Sequence, residues 1–138
     1  MPSKPEKQRS LLDSYAILAL LNDEPGAQVV ADLLRAGARD EDPLLVNEIN
    51  VGEVFYIVAK HRSLSEAEHV LRHLETLPLE IVSNGYAEVI DAARVKARFP
   101  LSYADAFAVA TAIRFGACVV TGDREFAAVE DTVDIVWL

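Results

Sequence analysis

With one cysteine, one methionine and one tryptophan in 138 residues, the chain is short of the residues that mark several protein classes. A lone cysteine, Cys118, permits no internal disulfide, which excludes a disulfide-stapled scaffold and fits a reducing cytoplasm. Its setting in the apolar stretch Ala117–Val120 reads as a small buried hydrophobe rather than a reactive thiol. Long apolar runs are missing too: none approaches the ~20 uncharged residues that a membrane helix needs, so no membrane partner is expected. The opening segment MPSKPEKQRS is charged and contains proline, with no apolar core, so no secretory signal is expected and residues 1–9 read as a flexible tail. Repeats, low-complexity tracts and linkers are absent, so residues 10–138 read as a single domain. Bases are scarce, 13 against 22 acids, for a net charge of −9. That balance weighs against a broad nucleic-acid-binding surface. It does not weigh against an enzyme whose acids hold metal ions, because the ions reverse the local field.

Short apolar runs alternate with stretches of helical period. Strands are expected at Ser10–Leu12, Leu44–Val46, Leu79–Val82, Ala117–Val120 and Val133–Trp137. Helices are expected over Tyr15–Leu21 and from Pro25 until Gly37 stops the pattern. Asn47 would cap a third helix running to about His61, and Ser63 or Ser65 a fourth to roughly Leu77. Tyr86 to Arg98 reads as helical, Pro100 breaks it, and Ser102 caps a helix that ends on Gly116. A short helix follows near Arg124–Val129. Strands alternating with helices imply right-handed crossovers and a mostly parallel sheet covered on both faces. Ligands of such sheets bind beyond the carboxyl ends of the strands.

Four acids stand near those ends or in an otherwise apolar helix. Asp13 ends the first strand and precedes an apolar helix; it is either an N-cap or a strand-end carboxylate. Asp105 stands in Ser102-x-x-Asp105, which is either a capping box or a way of aiming a carboxylate across the same edge. Asp123 follows the fourth strand through Thr121-Gly122, either as a turn residue or as another strand-end acid. Glu53 is the only charge in VGEVFYIVA; with apolar residues in the other helical directions, no solvated face is evident, and it is either a simple surface glutamate or a carboxylate that must be paired, metal-bound or costly. Collected at one edge, four such acids would repel unless a cation held them, and hard oxygen ligands suit Mg²⁺ or Mn²⁺. Glu48 competes with Glu53 for the second place.

At these residues the chain resembles the PIN-domain family, and more closely its VapC-like toxin ribonucleases. The matching stretches are Leu11-Leu12-Asp13-Ser14 running into Leu18-Ala19-Leu20-Leu21, Ile49-Asn50-Val51-Gly52-Glu53-Val54, Leu101-Ser102-Tyr103-Ala104-Asp105-Ala106, and Val120-Thr121-Gly122-Asp123-Arg124-Glu125-Phe126. The likeness runs from Ser10 to Leu138. It implies an α/β/α three-layer sandwich with a central, mostly parallel five-stranded sheet of order 3-2-1-4-5. It further implies Mg²⁺- or Mn²⁺-dependent cleavage of RNA, homodimerisation and neutralisation by a cognate antitoxin.

The expected chemistry places one or two ions on Asp13, Asp105 and Asp123, with Glu53 as ligand or water-orienting base, activating water for in-line attack on a phosphodiester. Ser102 and Thr121 are candidate hydrogen-bonding partners of the site or substrate. Arg124 beside Asp123, Arg94, Lys96 and Arg98, and Lys60–Arg62 are candidate phosphate contacts. His69 and His73 lie one helical turn apart, but without a third ligand they read as a surface pair. Competing functions are a PIN nuclease of RNA processing or decay without an antitoxin, and a non-catalytic scaffold. A phosphatase-like site would need a second acid where Tyr15 stands, and a receiver-like domain would need paired acids near the start.

Overall fold

The computed structural model describes residues 8–138. Five strands, β1 (Ser10–Leu12), β2 (Leu44–Asn47), β3 (Leu79–Val82), β4 (Cys118–Thr121) and β5 (Ile135–Trp137), form one sheet of order β3-β2-β1-β4-β5. All pairings are parallel, with Leu11 opposite both Leu45 and Val119, and Val120 opposite Val136. The helices are α1 (Ser14–Leu21), α2 (Ala27–Arg39), α3 (Glu48–His61), α4 (Leu64–Thr76), α5 (Tyr86–Arg98) and α6 (Tyr103–Phe115), and a 3₁₀ turn spans Arg124–Val129.

Alternation along the central strands builds two cores. Leu11, Leu45 and Val119 point to one face, where Ala108, Val109 and Ala112 of α6, Ala117, and Phe126 and Val129 of the 3₁₀ turn cover them. Leu12, Leu44, Val46 and Val120 point to the other, beneath Ala16 and Ile17 of α1, Val30 and Leu34 of α2, Val54 and Val58 of α3, and Leu74 of α4. Strands buried on both faces need no polar alternation, which is why β1, β2 and β4 read as continuous apolar runs. β3 is different. It lies at the sheet edge with Glu80 and Ile81 exposed.

Most element boundaries fall where the sequence places them, and the exceptions have local causes. The second helix begins at Ala27 behind an N-cap Gly26 with φ of 96°, rather than at Pro25. It also runs through Gly37 to Arg39. A Cβ at position 37 would come within 2.8 Å of Leu44 Cδ1 and 2.9 Å of the Asp42 carbonyl oxygen. That glycine therefore serves close packing onto β2, not termination. Gly116 does terminate α6, with φ of 62°, its N–H bonding back to the Ile113 carbonyl. The fifth strand is shorter than expected, starting at Ile135. Of the expected tail, residues 1–7 lie outside the described residues. Arg9, by contrast, is tied to the sheet through its carbonyl, which accepts from Cys118 N–H at 2.9 Å, and its guanidinium, which donates to the Pro43 carbonyl.

Candidate functional site

The carboxyl ends of β1 and β4 are neighbours, and the chain leaves each through an acid. Asp13 leaves β1, fully buried, and its side chain does two things at once. Oδ1 accepts from Ala16 N–H at 2.9 Å as the N-cap of α1, while Oδ2 accepts from the Thr121 hydroxyl at 2.5 Å. The same Thr121 hydroxyl oxygen accepts from Asp123 N–H at 3.0 Å. One buried threonine thus fixes both strand-end acids. Asp123 caps the 3₁₀ turn by accepting from Glu125 N–H, and Asp105 opens α6 with its own N–H donated to Ser102 Oγ at 3.2 Å. Asp13 and Asp123 are thus N-caps at strand ends, and Ser102 rather than Asp105 caps α6; capping leaves each acid at the carboxyl edge of the sheet, where ligands of such sheets bind.

Asp105, Asp123 and Glu125 each offer a carboxylate oxygen lying within 4.8 Å of the other two. Glu125 was not among the expected acids. The signal available was its place two residues after Asp123 in Asp-Arg-Glu, which brings both acids to the mouth of the same turn. Glu53 is half-buried on α3, and its charge acts on Asp105. The expectation that its helix lacks a solvated face is overturned: Ile49, Gly52, Tyr56 and Lys60 are exposed along one side. Apolar composition misled because three of those four exposed residues are uncharged. Glu48 is occupied elsewhere, its carboxylate accepting from the backbone and side-chain amides of Asn84.

Burial, with the repulsion of neighbouring acids added to it, raises the proton affinity of Asp13 and Asp105. Burial pushes Asp13 up to about 7, against the lowering effect of its bonds from Thr121 and Ala16, and the charges of Asp105 and Asp123 push further. Burial likewise raises Asp105 to about 6, the Ser102 bond opposes it, and Asp123, Glu53 and Glu125 add repulsion. A site built this way stores a demand for positive charge. Its donors are all carboxylate oxygens, the hard set that suits Mg²⁺ or Mn²⁺, and no thiol or imidazole belongs to the cluster.

Around the acids, Gly122 lies under the Tyr15 ring; a Cβ there would come within 2.6 Å of Tyr15 Cζ. Arg124, exposed, stacks its guanidinium 4.8 Å from the Trp137 ring centroid. Among the other basic candidates, Arg94 pairs with Asp91, Arg62 donates to Asn22 and faces Glu66, Lys96 donates to the Leu101 carbonyl, and Arg98 lies over the Phe99 ring. His69 and His73 are exposed on α4, with His69 Nδ1 3.3 Å from an Arg72 nitrogen.

Compared with known proteins, residues 10–131 match the PIN domain family model. No curated protein matches the chain. Among solved structures, VapBC2 of Rickettsia felis, bound to a DNA fragment from its promoter, shares 16% identity over 94% of this chain and 98% of its own, with a TM-score of 0.74. The sarcin-ricin loop cleaving toxin VapC20 of Mycobacterium tuberculosis shares 15% identity over 86% and 93%, with a TM-score of 0.69. FitAcB of Neisseria gonorrhoeae shares 22% identity over 91% and 95%, with a TM-score of 0.65. At those identities the neighbours report the fold. The family model covers most of the domain, including the stretches that carry Asp13, Glu53, Asp105 and Asp123, and by that match the chain belongs to the PIN domain family.

Proposed function

We propose that this protein is a divalent-metal-dependent endoribonuclease acting as the toxin of a toxin–antitoxin pair. The observation that carries the reading is the convergence of Asp13, Asp105 and Asp123 on one strand edge, with both Asp13 and Asp105 holding protons far more tightly than ordinary carboxylates. A scaffold has no use for such a costly arrangement, and a cation removes the cost.

Asp13, Asp105 and Asp123 would hold the ion, with Glu53 and Glu125 at its margins. A bound Mg²⁺ or Mn²⁺ would supply an activated water and a counter-charge for the phosphate under in-line attack. Thr121 keeps Asp13 and Asp123 in register by bonding to both. Ser102 fixes the first turn of α6 and hence the origin of Asp105. Glu53, half in water, orients or deprotonates the attacking water. Arg124, held against Trp137 beside Asp123, takes a phosphate oxygen of the RNA. With a net charge of −9 and few basic residues at the site, RNA binds weakly and leaves quickly.

The neighbours solved as VapBC assemblies support an antitoxin as partner. The resemblance adds a homodimer, and the reading as a whole places the protein in the cytoplasm. No helix among the described residues is long and apolar enough to cross a membrane.

The test is direct. RNA incubated with the protein and Mg²⁺ or Mn²⁺ should be cut internally, EDTA should stop it, and Asp105→Asn should lose at least a hundredfold in rate. Intact RNA alongside hydrolysis of a small phosphomonoester would sink the proposal. Co-purification with the product of an adjacent small reading frame, and inhibition by it, tests the antitoxin.

A further inference from the structure

One buried side-chain amide joins the three helices that carry or follow the acids. Asn50, on α3, is fully buried. Its Oδ1 accepts from Ser14 N–H at 3.2 Å, and the Ser14 hydroxyl lies 3.3 Å from that Oδ1 and 3.4 Å from the Asn50 carbonyl oxygen. Its Nδ2 donates to the Ala104 carbonyl at 3.1 Å. Ser14 follows Asp13 in the chain, Ala104 precedes Asp105, and Glu53 lies three residues after Asn50 on α3. A single planar amide therefore reaches from the residue after one acid to the residue before another, from a helix that carries a third.

The chemistry of the amide is specific to that task. The Ser14 N–H belongs to the first turn of α1, where backbone donors have no partner in their own helix, so a buried site must supply an acceptor. The Ala104 carbonyl needs a donor. A carboxamide offers both from one rigid plane, without needing a proton to be held. Aspartate would keep the acceptor and lose the donor, and leucine would lose both. The acids on either side repel one another, so a strap between their helices resists the force that would spread them.

We propose that Asn50 is a positioning residue that sets the separation of Asp13, Glu53 and Asp105, and through it the affinity of the acids for a divalent ion. It touches neither substrate nor metal. The inference rests on the metal-dependent reading above for its functional consequence, while its geometric content stands apart from that reading.

The experiment compares Asn50→Ala and Asn50→Asp with Leu74→Ala, a core truncation on α4. Three quantities are measured: the Mn²⁺ dissociation constant by calorimetry, kcat and KM on RNA, and the metal-free crystal structure. Asn50→Ala and Asn50→Asp should bind Mn²⁺ about 10- to 100-fold more weakly, as loss of a group that orients ligands does. Their kcat should fall with KM within about twofold of the parent. Leu74→Ala should lose at least as much thermal stability and keep its Mn²⁺ affinity. The inference is overturned if the Asn50 variants bind Mn²⁺ as Leu74→Ala does. It is equally overturned if a variant structure keeps the parental spacing of Asp13 and Asp105. Should Asn50→Ala not fold, Asn50→Asp carries the same comparison. Should the parent protein bind no Mn²⁺, the proposed function fails, and the carboxylate spacing in the variant structure alone decides the role of Asn50.

Discussion

Asp13 is where local and global demands meet most sharply. Its carboxyl titrates near 7 in the folded chain against an ordinary value of 3.8, so the folded state binds the proton more tightly than the unfolded one. Stability from this group is therefore fully present below about pH 4 and is lost as pH rises through about 7. Asp105, raised to about 6, behaves the same way over a slightly lower window. The metal-free protein should thus melt at lower temperature at pH 8 than at pH 5, and calorimetric scans across that range check it. Asp13→Asn keeps the oxygen that caps α1 while removing the charge. It should flatten the pH dependence, raise the metal-free melting temperature at pH 8 by about 5 °C, and abolish RNA cleavage. A variant less stable than the parent at pH 8 would contradict the assignment of Asp13 as a charge held at a cost. Gly122 makes a second residue-scale case. Alanine there collides with the Tyr15 ring, a half-exposed and movable side chain. Gly122→Ala should cost about 1 kcal/mol, and that cost should vanish in a Tyr15→Ala background, a coupling that a double-mutant cycle reads directly.

Among the elements, β2 shows how a strand end is anchored for work. Its last residue, Asn47, is fully buried and caps α3 by accepting from Ile49 N–H at 2.9 Å. The Asn47 amide donates to Thr111 Oγ1 on α6 and to Asn84 Oδ1 after β3, and Asn84 donates back to Asn47 Oδ1. Thr111 in turn donates to the Phe107 carbonyl of its own helix. The network pins α3, α6 and the segment after β3 to one sheet position, and α3 and α6 are the helices that carry Glu53 and Asp105. Thr111→Val keeps the shape and removes the acceptor for a buried N–H. It should destabilise by about 1–3 kcal/mol in denaturant unfolding. The helix caps at Asn47 and Ser102, and at Ser63 as one of two candidates with Ser65, were legible in the sequence because capping is local: the bond spans two or three residues. Gly37 was misjudged for the opposite reason. Its role depends on Leu44 and on the Asp42 carbonyl, which pack against it only in the folded chain.

At the scale of the whole molecule, the sheet order determines the site. Because β1 and β4 are adjacent, with Leu12 opposite Val120, their exits bring residues 13 and 121–123 together across more than 100 positions of chain. A cation that binds only the folded state should stabilise it by about 2.7 kcal/mol at a concentration 100 times its dissociation constant. Adding Mn²⁺ at pH 8 should therefore raise the melting temperature, and Asp123→Asn should remove most of that gain. An unchanged melting temperature in saturating Mn²⁺ would exclude the oxygen cluster as a metal centre.

The sequence by itself determined the elements, the parallel α/β class and three strand- or helix-end acids, because hydrophobic period, caps and strand exits are properties of short stretches. It also determined, through four short motifs in order, the resemblance that the family match bears out. Only the tertiary structure decided the rest. It brought Glu125 into the cluster and sent Glu48 to Asn84. It gave α3 a solvated side despite its apolar composition, and it linked Ser14 to Ala104 through Asn50. Each of these depends on which distant segments become neighbours, and burial and charge repulsion act on distances in space, which spacing along the chain does not contain.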